Sequence, residues 1–139
     1  MIELIKSEAK RIGACPLIGE IKDKATLVSS FFSPQGREFC EKYEFPSIGL
    51  FRHIKPGLTD DMCVFVDYGQ VHRSNDKDIA LVGETCGDLK FDENKYVHKI
   101  ILMHGAKAVI NASNYAVLLI VNIGNCEVKI NKDKTVRIL

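Results

Sequence analysis

The sequence predicts an α+β fold in which short N-terminal helices pack on a C-terminal strand-rich part. Two observations carry this expectation. All four prolines (16, 34, 46 and 56) and five of the seven phenylalanines precede residue 57, whereas ten of the eleven valines follow it. Apolar residues recur at intervals of three and four before that break, and at intervals of two from Met62 onward. Segregated patterns of this kind argue against alternating βαβ units. The break falls at Lys55-Pro56-Gly57, so a single domain, 1–139, is read as a helical part, 1–57, and a strand-rich part, 58–139.

In the helical part, Ile2, Ile5, Ala9 and Ile12 share one helix face, and Gly13 follows as a stop. Asp23 is placed to cap a second helix with Leu27, Val28, Phe31 and Phe32 as its apolar stripe. Ser33-Pro34 reads as the N-cap and first residue of a third helix, with Phe39, Cys40 and Tyr43 inward and Pro46 ending it. Ser47 caps a fourth short helix reaching Ile54.

From Met62 the alternation sets Met62, Val64, Val66 and Tyr68 against Cys63, Phe65 and Asp67. Further strands are expected at about 79–83, 88–91, 97–103, 106–111, 116–122, 126–130 and 135–138, joined by short turns such as Ser113-Asn114 and Gly124-Asn125. The segments LKFD (89–92), AVIN (108–111) and VKIN (128–131) recur at intervals of 19 and 20 residues. Two strands per repeat with an Asp or Asn at a corner suit a β-solenoid of about three coils. The competing arrangement is an antiparallel meander or jelly roll, which would use the same turns. The solenoid is preferred because corner amides in such a repeat stack along the coil axis.

Composition bounds the function. Nineteen Lys and Arg against eighteen Asp and Glu give a net charge of +1, so no global field attracts a nucleic acid or an anionic membrane. Cys15, Cys40, Cys63, Cys86 and Cys126 are odd in number and form no CxxC pair, which argues against both a disulfide framework and a thiolate zinc site. The N-terminal MIELIKSEAKR lacks an apolar leader core, and the longest apolar run, 116–121, is too short to cross a bilayer. These features lead to the expectation of a reducing, cytoplasmic setting. Neither GxxxxGK[ST] nor GxGxxG is present, so no phosphate-bearing cofactor is expected.

The densest polar stretch is VDYGQVHRSNDKD, 66–78. Asp67 and His72 are its candidate catalytic residues, because a carboxylate on one imidazole nitrogen leaves the other able to take a proton. Arg73, Asn75 and Asp76 are candidate binding residues. No nucleophile elbow accompanies them, and Ser, Asn, Asp and Gly at a strand end are also what a solvated turn requires. His53, His72, His98 and His104 offer no close ligand pair, so no metal is expected. Cys40 reads as a small core residue and Cys86, in GETCGD, as a turn residue.

The segments GREFCEKYEFPS (36–47), VFVDYG (64–69), ALVGET (80–85) and ILMHGAKAVINASNYAV (101–117) together resemble a group of short uncharacterised bacterial proteins with a helical N-terminal part and a strand-rich C-terminal part. That resemblance implies an arrangement of elements and carries over no site. The expected function is a non-catalytic binding or protein-interaction module, whose partner is a protein or a second copy of the chain. The alternative is a small hydrolase-like enzyme using Asp67 and His72. A weak nucleic-acid binder using Lys129, Lys132, Lys134 and Arg137 comes third, because residues 71–139 carry only ten basic against eight acidic groups.

Overall fold

The structure, a computed structural model, describes residues 2–13 and 21–139. The chain divides into two compact units, residues 1–62 and 63–139. The second unit opens later than the compositional break because two 3-10 turns, Lys55–Gly57 and Asp60–Met62, intervene. Met62 therefore belongs to a turn rather than to the first strand, and Cys63 at φ 56° takes the chain out of it.

Four helices build the first unit: α1 (Ile2–Arg11), α2 (Lys24–Phe32), α3 (Pro34–Tyr43) and α4 (Ile48–Ile54). Each cap read from the sequence is present. Asp23 Oδ1 accepts the Thr26 N–H at 2.8 Å while Thr26 Oγ1 accepts the Asp23 N–H at 3.0 Å, a reciprocal capping box that opens α2. Ser33 Oγ accepts the Gly36 N–H and Ser47 Oγ the Leu50 N–H, each at 3.1 Å. Phe31 meets Phe32 and Phe51 edge-to-face, with centroids 5.1 and 6.3 Å away. Gly36 lets α2 and α3 approach: a Cβ there would lie 1.8 Å from the Ser30 carbonyl oxygen. Tyr43 departs from expectation. It is 42% exposed, its ring stacking on Phe39 with Lys42 above it, because an amphipathic ring can lie along the surface and keep its hydroxyl in water. None of the described helices is long and apolar enough to cross a membrane. Cys15 and Pro16 lie outside the described residues.

The second unit is a β-solenoid of about four turns. Its strands are β1 (Val64–Val66), β2 (Gly69–Ser74), β3 (Asp78–Val82), β4 (Thr85–Phe91), β5 (Val97–Met103), β6 (Lys107–Ala112), β7 (Val117–Ile123), β8 (Glu127–Lys132) and β9 (Arg137–Ile138). They stack into a sheet ordered β1-β3-β5-β7-β9 and a second ordered β2-β4-β6-β8, and every pairing is parallel. Parallel pairing excludes the meander and the jelly roll. Each coil gives one strand to each sheet, and β9 begins a fifth coil. The sequence reading found about three coils because it took β2 for a strand end and a solvated turn. β2 is polar or exposed at every position except buried Val71, so apolar alternation could not reveal it.

Register explains the faintness of the repeat. Val64 pairs with Ala80, Ala80 with Ile101 and Ile101 with Val121, offsets of 16, 21 and 20 residues by subtraction. Lys90, Asn111 and Asn131 form one row, so LKFD aligns with AVIN two positions away from where the 19-residue interval put it. The expected amide stack exists between Asn131 Nδ2 and Asn111 Oδ1, at 3.1 Å, but Asp92 stands outside it.

Between the sheets lies one apolar core. Leu81 and Leu102 from the first sheet, and Leu89 and Ile110 from the second, are fully buried. Gly87 and Ala108 occupy one inward row, leaving space for the leucines opposite. A Cβ on Gly87 would come within 2.5 Å of Leu81 Cδ1. Most outward residues of the first sheet, among them Val66, Val82, Ile101 and Met103, are apolar too, the paired Asp78 and Lys99 excepted, so its strands read as largely apolar runs. The second sheet alternates buried and exposed positions, most cleanly in β6.

Candidate functional site

The outer face of the second sheet is a polar grid. Its rows are Gln70, Cys86, Lys107 and Glu127; His72, Asp88, Val109 and Lys129; and Ser74, Lys90, Asn111 and Asn131. Neighbours in a row stand about 4.8 Å apart, set by strand spacing rather than by flexible loops. Polar partners meet across coils: His72 Nδ1 lies 3.3 Å from Asp88 Oδ2, and Lys107 Nζ 3.8 Å from Glu127 Oε2. Both pairs are well exposed, so each contributes little to stability. Their effect is to fix a pattern of charge on a flat surface. Cys86 belongs to this face as a strand residue, not to a turn.

The segment 66–78 folds as turn, strand and corner. Asp67, at φ 49°, closes the β1–β2 turn, and its Oδ1 accepts the Glu84 N–H at 2.8 Å. The buried Thr85 hydroxyl accepts the Tyr68 N–H in the same turn, at 3.0 Å. At the other end, Arg73 grips Asp76 with two bonds, Nε to Oδ2 at 2.8 Å and Nη2 to Oδ1 at 2.9 Å. The Arg73 guanidinium also lies 5.6 Å from the Phe65 ring centroid, and the bond to Asp76 holds it firmly protonated. Asn75, at φ 58°, donates through Nδ2 to Asp92 Oδ1 at 2.7 Å and accepts the Asp92 N–H at 2.9 Å. That side-chain bond from Asn75, helped by Lys90, holds the Asp92 carboxyl below its ordinary value. Thus Asn75 links the first coil to the second at a corner, and the Arg73–Asp76 pair braces that corner within the first coil.

His98 completes that corner from inside. It is fully buried, packed on Phe91 and Tyr96, with Nδ1 2.7 Å from the Asp76 carbonyl oxygen. A carbonyl only accepts, so Nδ1 is the donor in this short contact, and Nε2 lies 3.4 Å from the Glu93 carbonyl oxygen. Cys63 lies beside the Arg73–Asp76 pair, its Sγ 3.6 Å from Arg73 Nη2 and 3.7 Å from Asp76 Oδ1. Burial and then the Asp76 charge push its thiol pKa up despite Arg73, the opposite of what a nucleophile needs. Burial likewise raises Cys126 and drives Cys40 to about 12.

The arrangement gives Asp67 and His72 different partners. Asp67 serves the turn, and His72 faces Asp88, an acidic residue sixteen positions on that the 66–78 window did not contain. Only strand register could have found that pair, because parallel coils bring residues together across a whole turn. Among the described residues no three His, Cys, Asp or Glu side chains gather into a metal-holding group. This chain has no significant match among family models, curated proteins or solved structures.

Proposed function

We propose that the chain is a non-catalytic protein-interaction module that binds through the outer face of its second sheet. The observation supporting this reading is the grid itself: twelve aligned positions presented by a hydrogen-bonded parallel sheet, with charges of both signs in fixed places. A surface held this way loses little conformational entropy on association. Lys90, Lys107 and Lys129 are interleaved with Asp88 and Glu127, which suits a protein of mixed charge better than a polyanion. Half-exposed Val109 sits inside the middle row and supplies an apolar centre. Among the described residues Cys40, Cys63, Cys86 and Cys126 form no disulfide, which fits a reducing compartment, and we place the protein in the cytoplasm on that ground.

The test is photo-crosslinking from single positions in the full chain inside its own cells. A photoreactive side chain at Val109 or Asn111 is expected to give a discrete protein adduct, and one at exposed Glu3 of α1 is not. Adducts absent from both positions, with the protein folded, would refute the reading. Turnover by the purified chain that disappears on His72→Ala would refute it in favour of hydrolase-like chemistry.

A further inference from the structure

The corner where the second sheet returns to the first carries two exposed tyrosines. It is built from residues 75–77, 92–96, 113–116 and 133–136, one segment per coil. Tyr115 is 62% and Tyr96 38% exposed. Tyr115 sits at φ 62° directly after Asn114 at φ 57°, in a turn closed by the Ala116 N–H on the Ser113 carbonyl at 3.2 Å. Two successive left-handed residues suit Asn-Gly, and a bulky side chain in the second place is strained. On the opposite corner, the left-handed pairs His104-Gly105 and Gly124-Asn125 each include a glycine. Thr135 Oγ1 accepts the Tyr115 N–H at 2.9 Å, a backbone bond that any residue but proline would make, while the ring has no hydrogen-bond or ring partner among the described residues. Strain kept for an exposed ring that bonds to nothing in the chain points to a contact outside it.

Register arranges what surrounds the ring. Continuing the pairing of Val97, Val117 and Arg137 back by two residues puts Lys95 and Thr135 on either side of Tyr115. Lys77 Nζ lies 5.8 Å from the Tyr96 ring centroid. Lys77, Lys95, Lys134 and Arg137 are all exposed and have no carboxylate partner among the described residues. Most carboxylates of the corner are engaged: Asp76 with Arg73, Asp92 with Asn75 and Lys90, and Asp133 with the Thr135 N–H, which leaves Glu93. Along the solenoid axis, cations therefore bracket two aromatic rings over three coil spacings, about 14 Å.

We propose that this corner binds single-stranded nucleic acid, with bases stacking on Tyr96 and Tyr115 and phosphates lying against Lys77, Lys95, Lys134 and Arg137. The site is distinct from the outer face of the second sheet and does not depend on it. The cations alone would serve an acidic protein equally well; the tyrosine faces between them favour a ligand that is both anionic and aromatic. A duplex does not fit, because its bases are stacked on one another and cannot reach the rings. With a whole-chain charge of +1 the attraction is local, so binding is weak and salt-sensitive.

The test is fluorescence anisotropy of the full 139-residue chain with labelled single strands of about eight nucleotides, one RNA and one DNA, against a duplex of the same sequence. Saturable binding of at least one single strand, falling as salt rises, is expected, with the duplex about tenfold weaker or more; the stronger of the two strands identifies the sugar. Tyr115→Ala should weaken binding about fivefold or more, and Tyr115→Phe should leave it nearly unchanged, because stacking uses the ring. Lys95→Ala and Lys134→Ala should each flatten the slope of log affinity against log salt by about 0.7. Tyr115→Gly separates binding from folding: it keeps the N–H that Thr135 holds and accepts a positive φ, so the thermal midpoint should rise while binding is lost. No saturable binding of either single strand, equal binding of the duplex, full binding by Tyr115→Ala, an unchanged salt slope in both lysine variants, or a lowered midpoint in Tyr115→Gly would each overturn the proposal. A photoreactive side chain at Tyr115 that gives protein adducts in cells and none with nucleic acid would overturn it in favour of a protein partner. Adducts at Val109 report on the second sheet's face separately, so either reading can fail alone.

Discussion

At the scale of single residues, the protein is governed by close approaches and by side chains that bind backbone. Gly36 has the least freedom to change, since a methyl group would run into the Ser30 carbonyl, which is backbone and cannot rotate away. Gly36→Ala is expected to destabilise the helical unit by about 3 kcal/mol, within the range of severe overpacking, read as a shifted denaturant midpoint. Gly87→Ala meets a side chain instead, Leu81 Cδ1, and should cost less, about 1–3 kcal/mol. Asp92 gives the pH signature. Its carboxyl is depressed by Asn75, so the stabilisation is complete above the ordinary carboxylate pKa and fades as pH falls through the lower folded value. Carboxyl NMR titration should place the Asp92 midpoint below that of a free aspartate, and Asn75→Ala should bring it back up. An Asp92 midpoint unmoved by Asn75→Ala would remove the corner bond from the account.

At the scale of elements, helix starts were the most legible features, because a cap is a local bond between residues two or three apart. Asp23, Ser33 and Ser47 were each readable as caps, and each makes its bond. Ser33→Ala should therefore cost about 1 kcal/mol, measured by thermal or chemical denaturation, with little change in the solenoid's amide protection. Strands of the first sheet were readable from apolar runs. β2 was not, since Gln70, His72 and Ser74 face outward on an exposed face and leave too few apolar residues for a period. The same local logic misjudged Tyr43 and Cys86, whose exposure and element depend on neighbours far away in the chain. The 66–78 segment stood out in the sequence for its density of polar residues; it folds as turn, strand and corner, and its partners Glu84, Asp88 and Asp92 lie a coil away.

For the whole molecule, stacked coils make stability nearly one-dimensional, each coil depending on those beside it. Leu102, fully buried in a middle coil, should cost about 2–5 kcal/mol on truncation to Ala. Ile130→Ala should cost about 1 kcal/mol or less, because its side chain is already partly in water. Comparable losses at the two sites would contradict the exposure of Ile130. By itself the sequence determined the division into helical and strand-rich parts, the helix caps, the apolar strands and the preference for coils, all of which follow from local bonds and short periods. Tertiary structure decided the parallel register, the fourth coil, the His72–Asp88 and Asn75–Asp92 partners, and the exposure of Ile130. These depend on which residue lies above which, and a chain whose coils are 16, 21 and 20 residues long conceals that vertical order until the coils are stacked.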